Sequence, residues 1–313
     1  MIPAVILAGA AGLLGAGLVS KYGRSLRLED HPVARSSHSR PVPKGGGIGI
    51  LAAFLLVCVL AHVPKGLMIP AVIVSLLGLA GDRTHIDPRL RLAGQFAAAL
   101  ASTLSLGLPL LYILPAMVFM VGTANFFNFM DGIDGIAGLA GLVGFCLLGA
   151  FACLRLPAGP EKTVFFALAA ACAGFLPFNL PRAKVFMGDV GSILLGYVFA
   201  FGVVRLSRSP ADFMCLCAFL CTFYADELGT MFVRLRDGED LLRPHRRHLY
   251  QLLANERAVA HWKVSCGYAL AQLVVGLCAW QASRHGAGPV LVLLACAGMG
   301  FCAYNFCFRR RIA

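Results

Sequence analysis

The sequence predicts an all-α protein, a polytopic membrane bundle of about eleven transmembrane helices, and three observations predict it. Of 313 residues, 59% are apolar and only 13% are charged, where soluble domains average roughly 45–50% and about 25%. Apolar runs of spanning or near-spanning length recur from end to end. The cations gather between alternate runs, as membrane topology requires. No long repeat or low-complexity linker divides the chain, so residues 1–313 are read as one transmembrane domain.

Length and helix breakers place the runs in order. The first, Ile2 to Val19, has no basic region ahead of it, so it is expected to stay as a span and not to be cleaved as a signal peptide. Gly46 to Val63, Gly66 to Gly81, Leu92 to Leu106 and Leu108 to Thr123 follow, parted by prolines, glycines and short charged loops. Ile136 to Leu154, Thr163 to Pro177 and Gly191 to Leu206 come next, then Ala211 to Val233, Val264 to Ala282 and Gly288 to Cys307. Several fall short of the roughly 20 residues that a straight span prefers. All twelve cysteines lie within apolar stretches and read as small core fillers, not as a metal cluster or a disulfide framework.

If the first run crosses from outside to inside, only Lys65, Arg155, Lys162, Arg205, Arg208 and Arg284 fall outside, leaving 21 of 27 lysines and arginines on the inner side. The positive-inside rule then puts the N-terminus outside and the C-terminus in the cytoplasm. Thirteen of the fifteen acids share that inner side, Glu161 and Asp212 being the exceptions, so the polar chemistry is expected to face the cytoplasm. The net charge of +12 suits an anionic leaflet or phosphorylated ligands. Nucleic acid is not expected as a partner, because no basic soluble module exists to carry it.

The stretch NFFNFMDGIDGIAG, residues 125–138, sets Asn128, Asp131 and Asp134 at intervals of three between two apolar runs. On a helix, neighbours in that series lie about 60° apart and converge on one ligand. A charge at membrane depth costs about 2.5–3.5 kcal/mol on insertion scales, so acids held there need a compensating partner. Oxygen donors of this kind suit Mg²⁺, which takes one or two carboxylates and completes its shell with water and phosphate oxygens. Gly132, Gly135 and Gly138 form a parallel stripe for close helix packing. A solvated loop with turn glycines is the plainer alternative.

Four other inner loops carry polar groups. In FNLPRAKVFMGDVGS, residues 178–192, the glycines around Asp189 let it present a carboxylate to a metal, and Phe186 offers a face to a flat base. Asp189 as a helix cap and Phe186 as a lipid or core contact serve as well. In HPVARSSHSRPVPKGGGIGI, residues 31–50, Ser36, Ser37, His38 and Lys44 can hold a phosphate beside three glycines, or form an ordinary basic loop. GDRTHIDPRLRLAGQ, residues 81–95, puts Asp82 at the end of one span and Arg89 and Arg91 at the start of the next, where interfacial acids and snorkelling arginines are common. RLRDGEDLLRPHRRHLYQLL, residues 234–253, clusters His245, Arg246, Arg247 and His248 behind Pro244, enough for a diphosphate clamp or simply a positive-inside loop.

Together these segments resemble, in order and over nearly the whole chain, the polyprenyl-phosphate N-acetylhexosamine-1-phosphate transferases, the MraY and WecA superfamily of glycosyltransferase family 4. NFMDGIDGIAG with FMGDVGS is the specific pair, supported by RSSHSRPVPKGGG, GDRTHIDPRLRL and PHRRHLYQ. The last looks most like the WbpL-like branch that begins O-antigen and related glycans with a deoxy-N-acetylhexosamine phosphate. The resemblance implies an MraY-like fold in a bacterial inner membrane, Mg²⁺ with Mn²⁺ as its substitute, and two substrates, a UDP-N-acetylhexosamine and undecaprenyl phosphate. The products would be undecaprenyl-diphosphate-sugar and UMP. Membrane lipid is the implied surrounding, and a homodimer is left open.

By motif position the resemblance implies Asn128, Asp131 and Asp189 at the metal, with Asp82, Asp131 and Asp189 in catalysis. It implies Asp134, Asn179 and Phe186 at the uridine, and Arg91 with His245, Arg246, Arg247 and His248 at the sugar diphosphate. Arg35, Ser37, His38 and Lys44 would lie toward the acceptor phosphate. The family commonly has an Asp-Asp pair where this chain has Gly81-Asp82, so the acceptor-activating role falls to Asp82 alone. A cation- or proton-coupled transporter is the rival from another class, and it predicts acids spread along span interiors. Here the acids gather at the inner mouths, apart from Asp226 and Glu227 deep in the ninth run.

Overall fold

The computed structural model describes residues 1–32, 37–38, 40–84, 86–240 and 245–310. Within them a helix or helix pair occupies each of the eleven apolar runs. The first five are α1 (Ile2–Tyr22), α2 (Ile48–Leu60), α3 (Lys65–Arg83), α4 (Pro88–Ser105) and α5 (Leu110–Phe129), with a two-stranded antiparallel ribbon, β1 (Glu29–Asp30) and β2 (Val42–Pro43), between α1 and α2. Then come α6 (Ile136–Arg155), α7 (Glu161–Asn179), α8 (Asp189–Leu206), α9 (Pro210–Ala218), α10 (Cys221–Arg236), α11 (Leu249–Asn255), α12 (His261–Ser283) and α13 (Ala287–Arg310). Eight of these are long and apolar enough to cross a membrane, or nine with α9 and α10 taken as one bent span. The other two runs are α2, which has only 13 residues, and α4, whose first turns carry Arg89, Arg91 and Gln95. The protein is a polytopic helical membrane protein.

Hydrophobicity decides which helix goes where. The α8 sequence DVGSILLGYVFAFGVVRL is apolar all round, and 83% of it is buried, so it forms the axis against which α3, α5 and α6 pack. In contrast α1 and α13 turn Ile6, Leu14, Leu291 and Val292 outward, which is stable only against lipid. Short connections make successive helices antiparallel, so the polar loops fall at two ends. One end is closed by ion pairs of Arg205 with Glu161 at 2.9 Å and of Arg155 with Asp212. The other, called the polar end below, collects the polar motifs of the sequence: the ribbon, residues 82, 128–135 and 179–189, and α11.

The ninth run departs from its prediction as a straight span. It breaks after Ala218, and α9 and α10 meet at 87°. Its hydropathy runs on through Phe219 and Leu220, but the carbonyl freed at Phe219 is satisfied from a distant helix: Gln272 Nε2 donates to Phe219 O at 2.8 Å and to Ala140 O at 2.9 Å. A buried amide supplying those donors makes a break tolerable inside a bundle. Asp226 and Glu227 lie beyond this break. They stand on α10 beside the loop that leads into α11.

Two glycines fix the polar end. Gly47 N donates to Met187 O at 2.9 Å, and the backbones of Gly47 and Gly191 touch: a Cβ on Gly47 would lie 2.6 Å from Gly191 N, and one on Gly191 would lie 2.8 Å from Gly47 Cα. Those distances are below any real carbon contact and involve backbone, so the loop has to move off α8. Gly47→Ala is therefore expected to destabilise by about 1–3 kcal/mol, read as a lower thermal midpoint of the detergent-solubilised protein. An unchanged midpoint would show that the contact is not needed.

Candidate active site

The site begins with Asp189, the first residue of α8. The glycine before it, Gly188, holds φ at +75°, a left-handed conformation that frees the carboxylate to face the neighbouring loops. Asp189 Oδ1 accepts Asn128 Nδ2 at 2.8 Å, and Oδ2 pairs with Arg91 Nη1 at 2.9 Å. Asn128 also donates to Ser192 Oγ at 2.9 Å. Asn128 and Arg91, which precede Asp189 by 61 and 98 residues, thus meet at its carboxylate, whose side chain is 24% exposed and so open to a ligand.

Asp82 lies on the adjoining side. Its side chain is only 5% exposed, it stands 3.5 Å from Lys44 Nζ, and its Oδ2 accepts Val190 N at 3.4 Å, beside the start of α8. Lys44 is brought there by the ribbon, since Phe186 N donates to Pro43 O at 2.8 Å and Gly46 N to Phe186 O at 2.9 Å. A polar cavity of about 470 Å³ opens at this pair and is edged by Arg24, Arg27 and Arg83. A Cβ on Gly81 would stand 3.3 Å from Arg91 Nη1, so the guanidinium that reaches Asp189 lies where a residue-81 side chain would project.

Asp131 and Asp134 sit on the turn between α5 and α6. Burial, then the charges of Asp189, Asp82 and Asp134, push the Asp131 carboxyl up to about 7. Four carboxylates are therefore close enough to repel one another, which fits a divalent cation drawn from solution. Among the described residues, no three or more His, Cys, Asp or Glu side chains are grouped so as to hold a metal ion by themselves. Asp134 Oδ2 lies 3.2 Å from His261 Nδ1, and its carbonyl accepts Ser265 Oγ at 2.8 Å. Asn179 is spent on structure: Oδ1 accepts Gly135 N at 2.7 Å, and Nδ2 donates to Val185 O at 2.9 Å, tying the 131–135 turn to the 179–189 loop. The Phe186 ring meets the ring of His38 edge-on at 4.9 Å.

The remaining expected residues fall in two groups. Ser37 Oγ accepts Asn255 Nδ2 at 3.1 Å, and His38 lies 3.6 Å from Asp30, while Arg35 is outside the described residues. The 245–248 cluster is joined to its own loop and to α10. Arg247 pairs with Asp237 at 2.6 Å and with Glu239, Arg246 is 3.6 Å from Glu256, and His248 Nε2 is 3.5 Å from Glu227. Burial holds both His245 and His248 down at about 4, so at neutral pH the cluster's charge comes from its two arginines.

This has a consequence for stability. A histidine held below its usual value leaves stability intact above about pH 6.5 and costs it as pH falls toward 4, because in that window only the unfolded chain takes up the proton. For the buried His248 the loss between pH 7 and pH 5 is about 2 kcal/mol. Asp131, held high, works in the opposite sense. His248→Gln is thus expected to flatten the drop in thermal midpoint between pH 7.5 and 5, and an equal drop in both proteins would contradict this assignment.

Ser192, His261 and the cavity-edge arginines Arg24, Arg27 and Arg83 had not been marked in the sequence. Ser192 follows Asp189 by three on α8, a spacing that shares a helix face and was available as a signal. His261 opens a helix far along the chain, and nothing near it in sequence marks it.

Residues 65–207 match the family described as Glycosyl transferase family 4, a stretch that holds Asp82, Arg91, Asn128, Asp131, Asp134, Asn179, Phe186 and Asp189. The decaprenyl-phosphate N-acetylglucosaminephosphotransferase of Mycobacterium tuberculosis is 30% identical over 289 residues, covering 76% of this chain and 71% of that protein. The chain belongs to glycosyl transferase family 4. Further family 4 relatives are the undecaprenyl-phosphate alpha-N-acetylglucosaminyl 1-phosphate transferases of Thermotoga maritima, 26% identical over 252 residues and 79% of each chain, and of Escherichia coli K12. The latter is 26% identical over 320 aligned positions, 93% of this chain and 86% of its own. Membership in family 4 sets aside the transporter reading.

Proposed function

We propose that this family 4 enzyme transfers N-acetylhexosamine-1-phosphate from a UDP-sugar to undecaprenyl phosphate, forming undecaprenyl-diphosphate-sugar and UMP. The observation that carries the reading is the junction of Asn128, Arg91 and Asp189 at the polar end of a membrane bundle, with Lys44 and Asp82 beside it. The names of the relatives, which specify polyprenyl phosphate and N-acetylglucosamine phosphate, support it. A GlcNAc donor follows those names, and FucNAc or QuiNAc, with O-antigen initiation, follows the PHRRHLYQ segment. The polar end faces the cytoplasm of the inner membrane in this reading, as the cation count requires.

In the reaction an oxygen of the acceptor phosphate attacks the β-phosphorus of the donor. The bond from that phosphorus to the bridging oxygen breaks, and UMP leaves with that oxygen and its electron pair, while the sugar keeps its own phosphate. The chemistry is chiefly positioning and charge neutralisation. Lys44 and the cavity-edge arginines draw the acceptor phosphate toward Asp82, which orients it. Arg91 and the arginines of the 245–248 cluster neutralise the donor diphosphate, and Asp134 and Phe186 hold the uridine end, with Asn179 fixing the turn between them. Mg²⁺, or Mn²⁺ in its place, would be held by Asn128, Asp131 and Asp189, and when bound it supplies Lewis-acid charge to the diphosphate oxygens. A groove of about 1170 Å³, lined by Phe119, Phe126, Leu228, Val264 and Phe301, runs from this end along α5, α10, α12 and α13 and suits an isoprenoid tail.

The test is purified protein with undecaprenyl phosphate and a panel of UDP-N-acetylhexosamines, with Mg²⁺ or with EDTA. UMP is expected with at least one donor, and only with the metal. Release of UDP, or of no nucleotide at all, would reject the reading.

A further inference from the structure

Asp226 belongs to none of the motifs tied to the reaction, yet it is the most fully bonded acid in the bundle. Its side chain is wholly buried. Oδ1 accepts Leu249 N at 2.8 Å and Thr230 Oγ1 at 3.2 Å, while Oδ2 accepts the Tyr268 hydroxyl at 2.7 Å and Tyr250 N at 3.1 Å. Four donors on one carboxylate use its full acceptor capacity. Two of them are the first backbone N–H groups of α11, which a helix leaves without internal partners.

α11 has seven residues, too few to hold a helix in water on its own. Its placement therefore depends on the carboxylate that anchors its first turn to α10. What α11 carries explains why placement matters. The Tyr250 ring is fully buried, and its hydroxyl donates to the carbonyl of Phe129 at 3.1 Å, one residue after Asn128 and two before Asp131. The same ring closes on the far side of that turn, where a Cβ on Gly132 would stand 3.1 Å from Tyr250 Cζ. The phenol is thus bonded to the last residue of α5, the helix that carries Asn128, and packed against the turn that carries Asp131.

We propose that Asp226 is a positioning residue for the Asn128–Asp131 turn, acting through the first turn of α11 and the Tyr250 hydroxyl. This rests on the sugar-phosphate transfer reading for its kinetic consequence, but not for its structural one. Charge-assisted bonds from backbone N–H to carboxylate are short and directional, so they transmit position and not merely proximity. A turn that shifts by an ångström moves Asn128 off Asp189, and such misplacement far from the chemistry lowers turnover more than substrate binding.

The experiment compares wild type, Asp226→Asn, Tyr250→Phe and the double variant, by steady-state kinetics with UDP-GlcNAc and by hydrogen exchange of peptides covering 128–135 and 248–255. Tyr250→Phe is expected to leave exchange over 248–255 unchanged and to raise it several-fold over 128–135. Its kcat falls about tenfold, with the donor KM within about twofold. Asp226→Asn raises exchange in both segments and lowers kcat at least as much, and the double variant is no slower than Asp226→Asn, since both changes cut one strut. Wild-type kcat and wild-type exchange over 128–135 in Tyr250→Phe would overturn the proposal, as would losses that multiply in the double variant. If Asp226→Asn does not fold, Tyr250→Phe alone decides. If wild type releases no UMP, the reaction reading fails while the exchange comparison still tests the strut.

Discussion

Asp189→Ala is expected to lower UMP release by more than about 100-fold, the range seen when one group aimed at the reacting charge is removed. Asp189 is where the Asn128 amide and the Arg91 guanidinium converge, so alanine takes away the one carboxylate they share and leaves Asn128 bonded to Ser192 alone. The fold should survive. The Asp189 side chain is partly exposed, and the α8 start is held independently by Gly47 against Met187 and by Ser75 Oγ donating to Val190 O at 2.6 Å. Protein yield and thermal midpoint close to wild type, together with lost turnover, are the expected pair of results. Turnover within about threefold of wild type would remove Asp189 from the reaction.

Asp82→Asn is expected to cost about 100-fold as well, and for a separable reason. Asparagine keeps the shape and can still accept from Val190 N, so the bond beside the α8 start is preserved and only the charge is lost. If Asp82 orients the acceptor phosphate against Lys44, loss of that charge changes the acceptor kinetics and leaves the donor KM near wild type. The Lys44 pair at 3.5 Å is the contact on which this rests, and Lys44→Gln should share the acceptor phenotype. A near-wild-type Asp82→Asn would assign Asp82 a purely structural place at the α8 terminus.

Much of this architecture was legible from residue order. The apolar runs marked every helix long enough to span, because burial in lipid or in the bundle demands sustained hydrophobicity, but for the same reason they also marked the shorter α2 and the more polar α4. That Asn128 and Asp189 come together was legible only through the family resemblance of their two motifs, since nothing in residue spacing links positions 61 apart. The break after Ala218 was not, since hydropathy continues through Phe219 and the amide that satisfies the break comes from Gln272, far along the chain. α11 was equally hidden: seven residues carry no periodic signal, and its first two N–H groups are met by Asp226, an acid that composition alone places inside a span. The basic cluster at 245–248 was visible as charge, but not its engagement with Asp237, Glu239 and Glu227, because acids and bases in one loop have no fixed partner until the loop folds.

The most direct test of the transfer reaction follows the phosphorus. UDP-GlcNAc labelled with ³²P at the β-phosphate and with ³H in the sugar is incubated with the purified protein, Mg²⁺ and undecaprenyl phosphate, and the lipid is extracted. Both labels are expected in the lipid in the donor's own ratio, with unlabelled UMP in the aqueous phase. Tritium in the lipid without ³²P would show transfer of the sugar alone and contradict the account.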